Sequence, residues 1–188
     1  METHTRQGES TTVQDDPKAR ELLQAAFAKT ARWQPDFKGF QADLRVNVNG
    51  KETKGTVTVK CPREVTVVID DADLQTWAQN QIGMIAGHRG HRNFQESDGK
   101  HSLTLGGEEQ HPLGQRIYIH GDGMGSWYRI KDNRITQINR NMPQAAFTIN
   151  VEDSAITQDK QHLTTRYTVY YFNPKDRSLK NVDSFSDT

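Results

Sequence analysis

Five of the seven histidines, His88, His91, His101, His111 and His120, are gathered in the middle of the chain, and imidazole is the commonest protein ligand for transition metals. A zinc site needs three or four such side chains converging at about 2.0–2.1 Å from the ion. His88 and His91 share a face only if a helix continues through both, and Gly87 and Gly90 oppose that. Histidines on a polar, solvated segment are the better reading. The run Gly121-Asp-Gly-Met-Gly-Ser has the composition of a phosphate cradle. Such loops draw their field from a following helix, whereas Trp127-Tyr-Arg-Ile-Lys alternates like a strand, so the glycines read as a turn or bulge. Ser126 lies near His120 and Asp122, but no strand–Gly-x-Ser-x-Gly–helix elbow surrounds it. The carboxylate pairs Asp15/Asp16, Asp70/Asp71 and Glu108/Glu109 fit helix caps and solvated loops. Cys61 is the only cysteine, which rules out an intramolecular disulfide, and it reads as a structural thiol. No catalytic residue, metal site or cofactor is predicted.

At 188 residues the chain is long enough to bury one core without metal or disulfide. With 24 basic and 24 acidic residues, no net field draws it to nucleic acid. The basic residues Arg89, Arg92, Lys100, Arg129, Lys131, Arg134 and Arg140 read chiefly as solvated faces. No apolar run reaches the ~18 residues of a membrane-spanning helix, so no integral membrane segment is expected. The first residues have no apolar stretch of the signal-peptide kind. That points to a cytoplasmic protein if the numbering begins at the native start; a different start leaves room for a removed leader.

Residues 1–15 read as a disordered polar tail and 16–188 as a single domain. Asp16-Pro17 opens a helix whose stripe is Leu23, Ala26, Phe27 and Thr30, and Trp33 to Phe37 ends it. Phe40, Ala42, Leu44, Val46 and Val48 alternate with polar residues, Asn49-Gly50 marks a hairpin, and strands follow over 52–60 and 64–69. A second helix carries Leu74, Trp77, Ala78, Ile82 and Ile85 and should end at Gly87. Residues 91–97 and 100–105 are expected to form a hairpin around Asp98-Gly99. Three strands are expected within 115–151, then one at 163–172 covered on both faces, then one at 178–186. The fold class is mainly β (α+β): a strongly curved antiparallel sheet or half-barrel of about 9–11 strands wrapped around an N-terminal helix and one inserted helix.

Several segments resemble a family of uncharacterised proteins best populated in photosynthetic organisms. They are Ala19-Arg-Glu-Leu-Leu, Asp36-Phe-Lys-Gly-Phe-Gln-Ala-Asp, Gly121-Asp-Gly-Met-Gly-Ser-Trp-Tyr, Asn139-Arg-Asn-Met, Ala146-Phe-Thr-Ile-Asn and Phe185-Ser-Asp-Thr. The resemblance spans roughly 18–188, with Gly121–Tyr128 its most specific block. It brings no substrate, cofactor or catalytic residue. It implies that a closing strand or two follow the last residue here. A fainter likeness links the opening helix, the strand entry and Lys54-Gly55-Thr56-Val57 to lipoprotein-carrier and sigma-regulator half-barrels. Those proteins hold lipid chains or lipoproteins on a concave face, an analogy of fold alone.

The leading functional expectation is a non-catalytic binding module, holding a small apolar or amphipathic ligand or a lipid chain between the concave sheet face and the helices. The candidate ligand-binding residues are Trp33, Phe37, Trp77, Trp127, Tyr128, Arg140, Phe147 and Tyr167. Against them, large apolar side chains more often simply pack a core, and a hydrophobic content of 33% leaves few to spare. The alternative is a structural or assembly protein that recognises a protein partner through a sheet edge or the 88–105 hairpin. The third is an enzyme of unknown reaction, hinted at by Arg92 and Arg140 at otherwise inward-facing positions.

Overall fold

A computed structural model describes residues 13–61, 64–107, 110–121 and 125–188. The expected tail therefore lies outside the described residues up to position 12, as do Glu108, Glu109, Asp122, Gly123, Met124 and the side chain of Cys61. Among the described residues there are ten strands, two α-helices and one short 3-10 turn. The protein is mainly β, and every pairing between strands is antiparallel, as the alternation predicts. The strands are divided between two sheets, neither closed into a barrel. The chain forms two compact units, one from residues up to Thr30 together with Asn93–Thr188, the other from Ala31–Arg92.

The Ala31–Arg92 unit holds β1 (Phe40–Val48), β2 (Lys51–Cys61), β3 (Glu64–Val68) and helix α2 (Ala72–His88). Asn49 and Gly50 both take positive φ, which is what the tight hairpin between β1 and β2 requires. Val46, Val57, Val59, Val67 and Ile69 form the apolar face, against which Ala78 and Ala86 of α2 are buried. Asp71 caps α2 by accepting from the Leu74 amide. The helix passes Gly87 and ends at His88, because tertiary packing outweighs the roughly 1 kcal/mol that one glycine costs. The indole of Trp33 then donates to the Ala86 carbonyl at 2.8 Å, satisfying an acceptor of the last turn.

In the other unit, helix α1 (Pro17–Lys29) lies on a seven-stranded sheet made of β4 (Ser102–Leu105), β5 (Gln115–His120), β6 (Ser126–Lys131), β7 (Arg134–Asn141), β8 (Ala146–Ile156), β9 (His162–Phe172) and β10 (Leu179–Ser186). These strands follow one another in space from β10 to β4, a plain meander. Four strands, not three, start within 115–151, because the glycine-rich sequence after His120, the Asp132-Asn133 turn and Pro143 separate four runs. Asp132 and Asn133 both have positive φ and reverse the chain in two residues.

Residues 91–97 are not a strand, so the expected hairpin at 88–105 does not form. Phe94 is instead buried in the core and meets Phe27 edge-on at 5.4 Å, and the chain coils back through a 3-10 turn, Asp98–Lys100. Gly99 is there for close approach: a Cβ on it would lie 2.7 Å from the Phe94 carbonyl oxygen.

Ala19, Leu23 and Ala26 are fully buried on α1 and pack with Leu103, Ile117, Ile119, Tyr128 and Ile130. Helix α1 packs across β4, β6 and β7. Its C-terminal end touches the start of β9 through a bridge between Thr30 and His162. Strand β9, expected to be covered on both faces, buries Thr168 and Val169 and leaves Tyr167, Tyr170, Tyr171 and Phe172 half-buried.

Candidate functional site

The α1-facing side of the seven-stranded sheet can be followed from strand to strand by its register. Tyr128 pairs with Ile138, Ile138 with Ile149, and Ile149 with Val169. Two residues along β7, Arg140 pairs with Phe147, which pairs with Tyr171. Val151, Tyr167 and Phe185 make a third row. Paired residues point to the same face. Arg140 and Phe147 therefore share the face that α1 packs on, and the β8–β10 part of that face continues past the α1 core. There Phe147, Ile149, Val151, Tyr167, Tyr171 and Phe185 are all half-buried. Tyr167 stacks on Phe185 at 4.9 Å, and Phe147 lies 6.4 Å from Tyr171. This is an apolar and aromatic strip, bordered on β10 by Asn181 and Asp183, which pair with Tyr171 and Val169.

At the β7 end of the strip is a small polar cleft. It is lined by Asp98, His101, Ile119, Gly121, Ser126, Arg140 and Met142, and its volume is about 120 Å³. Of these residues, Arg140 holds its guanidinium 4.6 Å from the centroid of the buried Tyr128 ring. The Tyr128 hydroxyl donates to the Asp98 carboxylate, 3.2 Å from both oxygens, and accepts from Arg140. Burial pushes the Tyr128 phenol up to about 12, with Arg140 opposing and Asp98 reinforcing the shift. Near neutral pH the phenol keeps its proton and bridges Asp98 and Arg140 by hydrogen bonds. Arg140 and Asp98 approach to 3.8 Å, beyond hydrogen-bond length.

The cleft is held from behind by α1. Asp15 and Arg20 are joined by two bonds of 2.7 Å. Arg20 also donates to the carbonyls of Gly99 and His101, at 2.8 and 2.9 Å. Asp15 accepts from the Leu103 amide at 2.9 Å. The bond from Arg20 is the main reason the Asp15 carboxyl sits below the usual range; burial opposes it and the Leu103 amide reinforces it. One clamp thus fixes the segment that carries Asp98 and His101. Gly121 lies so close to His101 that a Cβ would overlap the imidazole.

The eight predicted site residues are not all brought together. Tyr128, Arg140, Phe147 and Tyr167 lie on the face just described. Trp127 pairs with Tyr118 and Asn139 on the opposite face, where the Arg116 guanidinium sits 4.9 Å from its ring. Trp33, Phe37 and Trp77 belong to the Ala31–Arg92 unit. Trp33 and Phe37 stack there at 4.2 Å, and Trp77 packs on the valine face. Asp98, His101 and Met142 were missed as cleft residues. They become neighbours only through pairing across β5, β6 and β7, and the one sequence signal was Arg140 at an inward position.

Three of the histidines have other partners. His88 contacts Arg92 at 2.7 Å, His111 accepts from the Leu113 amide, and His120 contacts Thr104 at 2.8 Å. Arg92, the second inward arginine of the enzyme reading, is thereby an exposed partner of His88. No group of three His, Cys, Asp or Glu converges among the described residues, and none of their helices is long and apolar enough to cross a membrane.

Fold and cleft together define an α+β protein with two open antiparallel sheets and a charge-compensated cleft beside an aromatic strip. The family described as protein of unknown function DUF3386 matches residues 14–188, and the chain belongs to that family. No curated protein and no solved structure gives a match. The segments around Gly121–Tyr128 and Asn139–Met142, which carry much of the family resemblance, supply Gly121, Ser126, Arg140 and Met142 to the cleft.

Proposed function

We propose that this protein is a non-catalytic binding module, which holds a small amphipathic ligand or single lipid chain along the α1-facing side of β8–β10. The observation that carries the reading is the register row Arg140–Phe147–Tyr171, which joins a polar cleft to an apolar strip on one continuous face. Ligand sites are commonly apolar surfaces with a few convergent polar groups. At about 120 Å³ the cleft is too small for a whole lipid, so the apolar part lies along the open strip. A second reading, a protein partner added along the edge of the sheet, is favoured by Leu179 and Val182, exposed on the edge strand β10.

Native mass spectrometry of the protein purified without detergent tests the proposal. A mass excess that disappears on denaturation and releases a discrete small molecule is the expected result. A ligand-free mass, together with no uptake of a lipophilic dye, would overturn it.

A further inference from the structure

Among the described residues, the cleft at the β7 end of the strip is lined by one carboxylate, one guanidinium and the His101 imidazole, and the first two have bonding capacity left. A carboxylate offers about four acceptor positions, and Asp98 receives the single Tyr128 proton shared between its two oxygens. A guanidinium offers five donors, and Arg140 directs Nη1 to the Asn139 carbonyl and Nη2 to Tyr128. Both side chains are roughly three-quarters buried, 24% exposed for Arg140 and 22% for Asp98. A ligand group entering here is therefore read in a partly desolvated setting, where an unmet polar group is costly.

Charge decides what fits. An anionic head would gain from Arg140 but strip water from Asp98 beside it; a cationic head would do the reverse. A neutral head carrying adjacent hydroxyls can donate to Asp98 and accept from Arg140 at once, spanning the 3.8 Å between them. At about 30 Å³ per water, the cleft has room for about four waters, or for a group the size of glycerol. Met142 and Ile119 close the apolar walls. Resting on the binding reading above, we infer that the cleft selects an uncharged polyol head, with Asp98 as acceptor and Arg140 as donor, while the ligand's apolar chain follows Phe147 and Tyr171 along the strip.

Three probes with the same alkyl chain test this on the native chain, below their micellar concentrations: 1-monododecanoylglycerol, dodecanoate and dodecyltrimethylammonium. Binding is read by calorimetry. The glycerol head should bind about tenfold more tightly than either charged head, as expected for two net hydrogen bonds. Asp98→Asn and Arg140→Gln, checked for folding by circular dichroism, should each erase that preference, whereas Phe147→Ala should weaken all three probes alike. The native series needs no variant, so a variant that misfolds does not disable the test. Equal binding of the three heads, or a charged head binding best, would overturn the polyol assignment and leave the strip reading standing. A glycerol preference unchanged in both folded cleft variants would place the selection elsewhere and overturn it too. Failure of every probe to bind would bring down the binding reading itself.

Discussion

The α1-facing side of the seven-stranded sheet has two halves written in the same period-two code. Under α1, strands β4–β6 turn Leu103, Ile117, Ile119, Tyr128 and Ile130 inward, and all are buried with Leu23. Further along the same face, Phe147, Ile149, Val151, Tyr167, Tyr171 and Phe185 also turn apolar side chains to it, and each remains half-buried. What differs is the helix laid over the first half. Alternation determines which residues share a face; whether that face becomes core or binding surface depends on what lies over it. The contrast also separates stability from function, since the first half should carry the former and the second the latter.

The largest effect should come from the covered half. Leu23→Ala removes a fully buried side chain and should cost about 2–5 kcal/mol in a denaturant melt. At the boundary, Tyr128→Phe deprives Asp98 and Arg140 of their shared hydroxyl and should cost about 1–3 kcal/mol. In the open half, Phe147→Ala should cost less, about 1–2 kcal/mol, because the ring is only partly buried, yet lose most ligand uptake. Equal losses from Leu23→Ala and Phe147→Ala would erase the distinction between the halves.

Two smaller effects depend on pH. The Asp15 carboxyl is held below its ordinary range, so its contribution is complete above that range. The contribution is lost as pH falls through the folded value. Asp15→Asn should flatten the acid limb of stability against pH below the usual carboxylate range. His162 is pushed down by burial, then by Arg134 and Lys29, and one of its ring nitrogens is buried without a hydrogen-bond partner among the described residues. It folds neutral, so its contribution is full above the ordinary imidazole range and falls as pH drops through that range towards its lowered folded value. His162→Gln should remove that mild decline.

Much of this fold is legible in the sequence wherever a local rule decides the outcome. The strand from Phe40 to Val48, the Asn49-Gly50 hairpin and the Asp16-Pro17 helix start all appear as read, although of the strand's apolar set only Val46 is buried and Phe40, Ala42 and Val48 are exposed. Local rules fail where distant contacts decide. Asp98-Gly99 looks like a hairpin turn, but Phe94 draws that segment into the core. Asp15 looks like a solvated carboxylate, but Arg20 and the Leu103 amide, 88 residues away in sequence, claim it. The division into two sheets is not visible in alternation, which says nothing about which strands hydrogen-bond. The cleft is equally hidden, because Asp98, Tyr128 and Arg140 come from three separate segments. Large aromatic size alone grouped Trp127 with Tyr128 and Phe147, and only pairing register puts Trp127 on the opposite face of the sheet.

Nuclear magnetic resonance of the labelled protein during titration with 1-monododecanoylglycerol tests the central claim most directly. The predicted result is a set of saturable shifts at Arg140, Phe147, Ile149, Val169 and Tyr171, with Leu23 and Ile117 unmoved. Saturable shifts confined to other residues, or none at all, would contradict the assignment of the open half as the ligand-binding face.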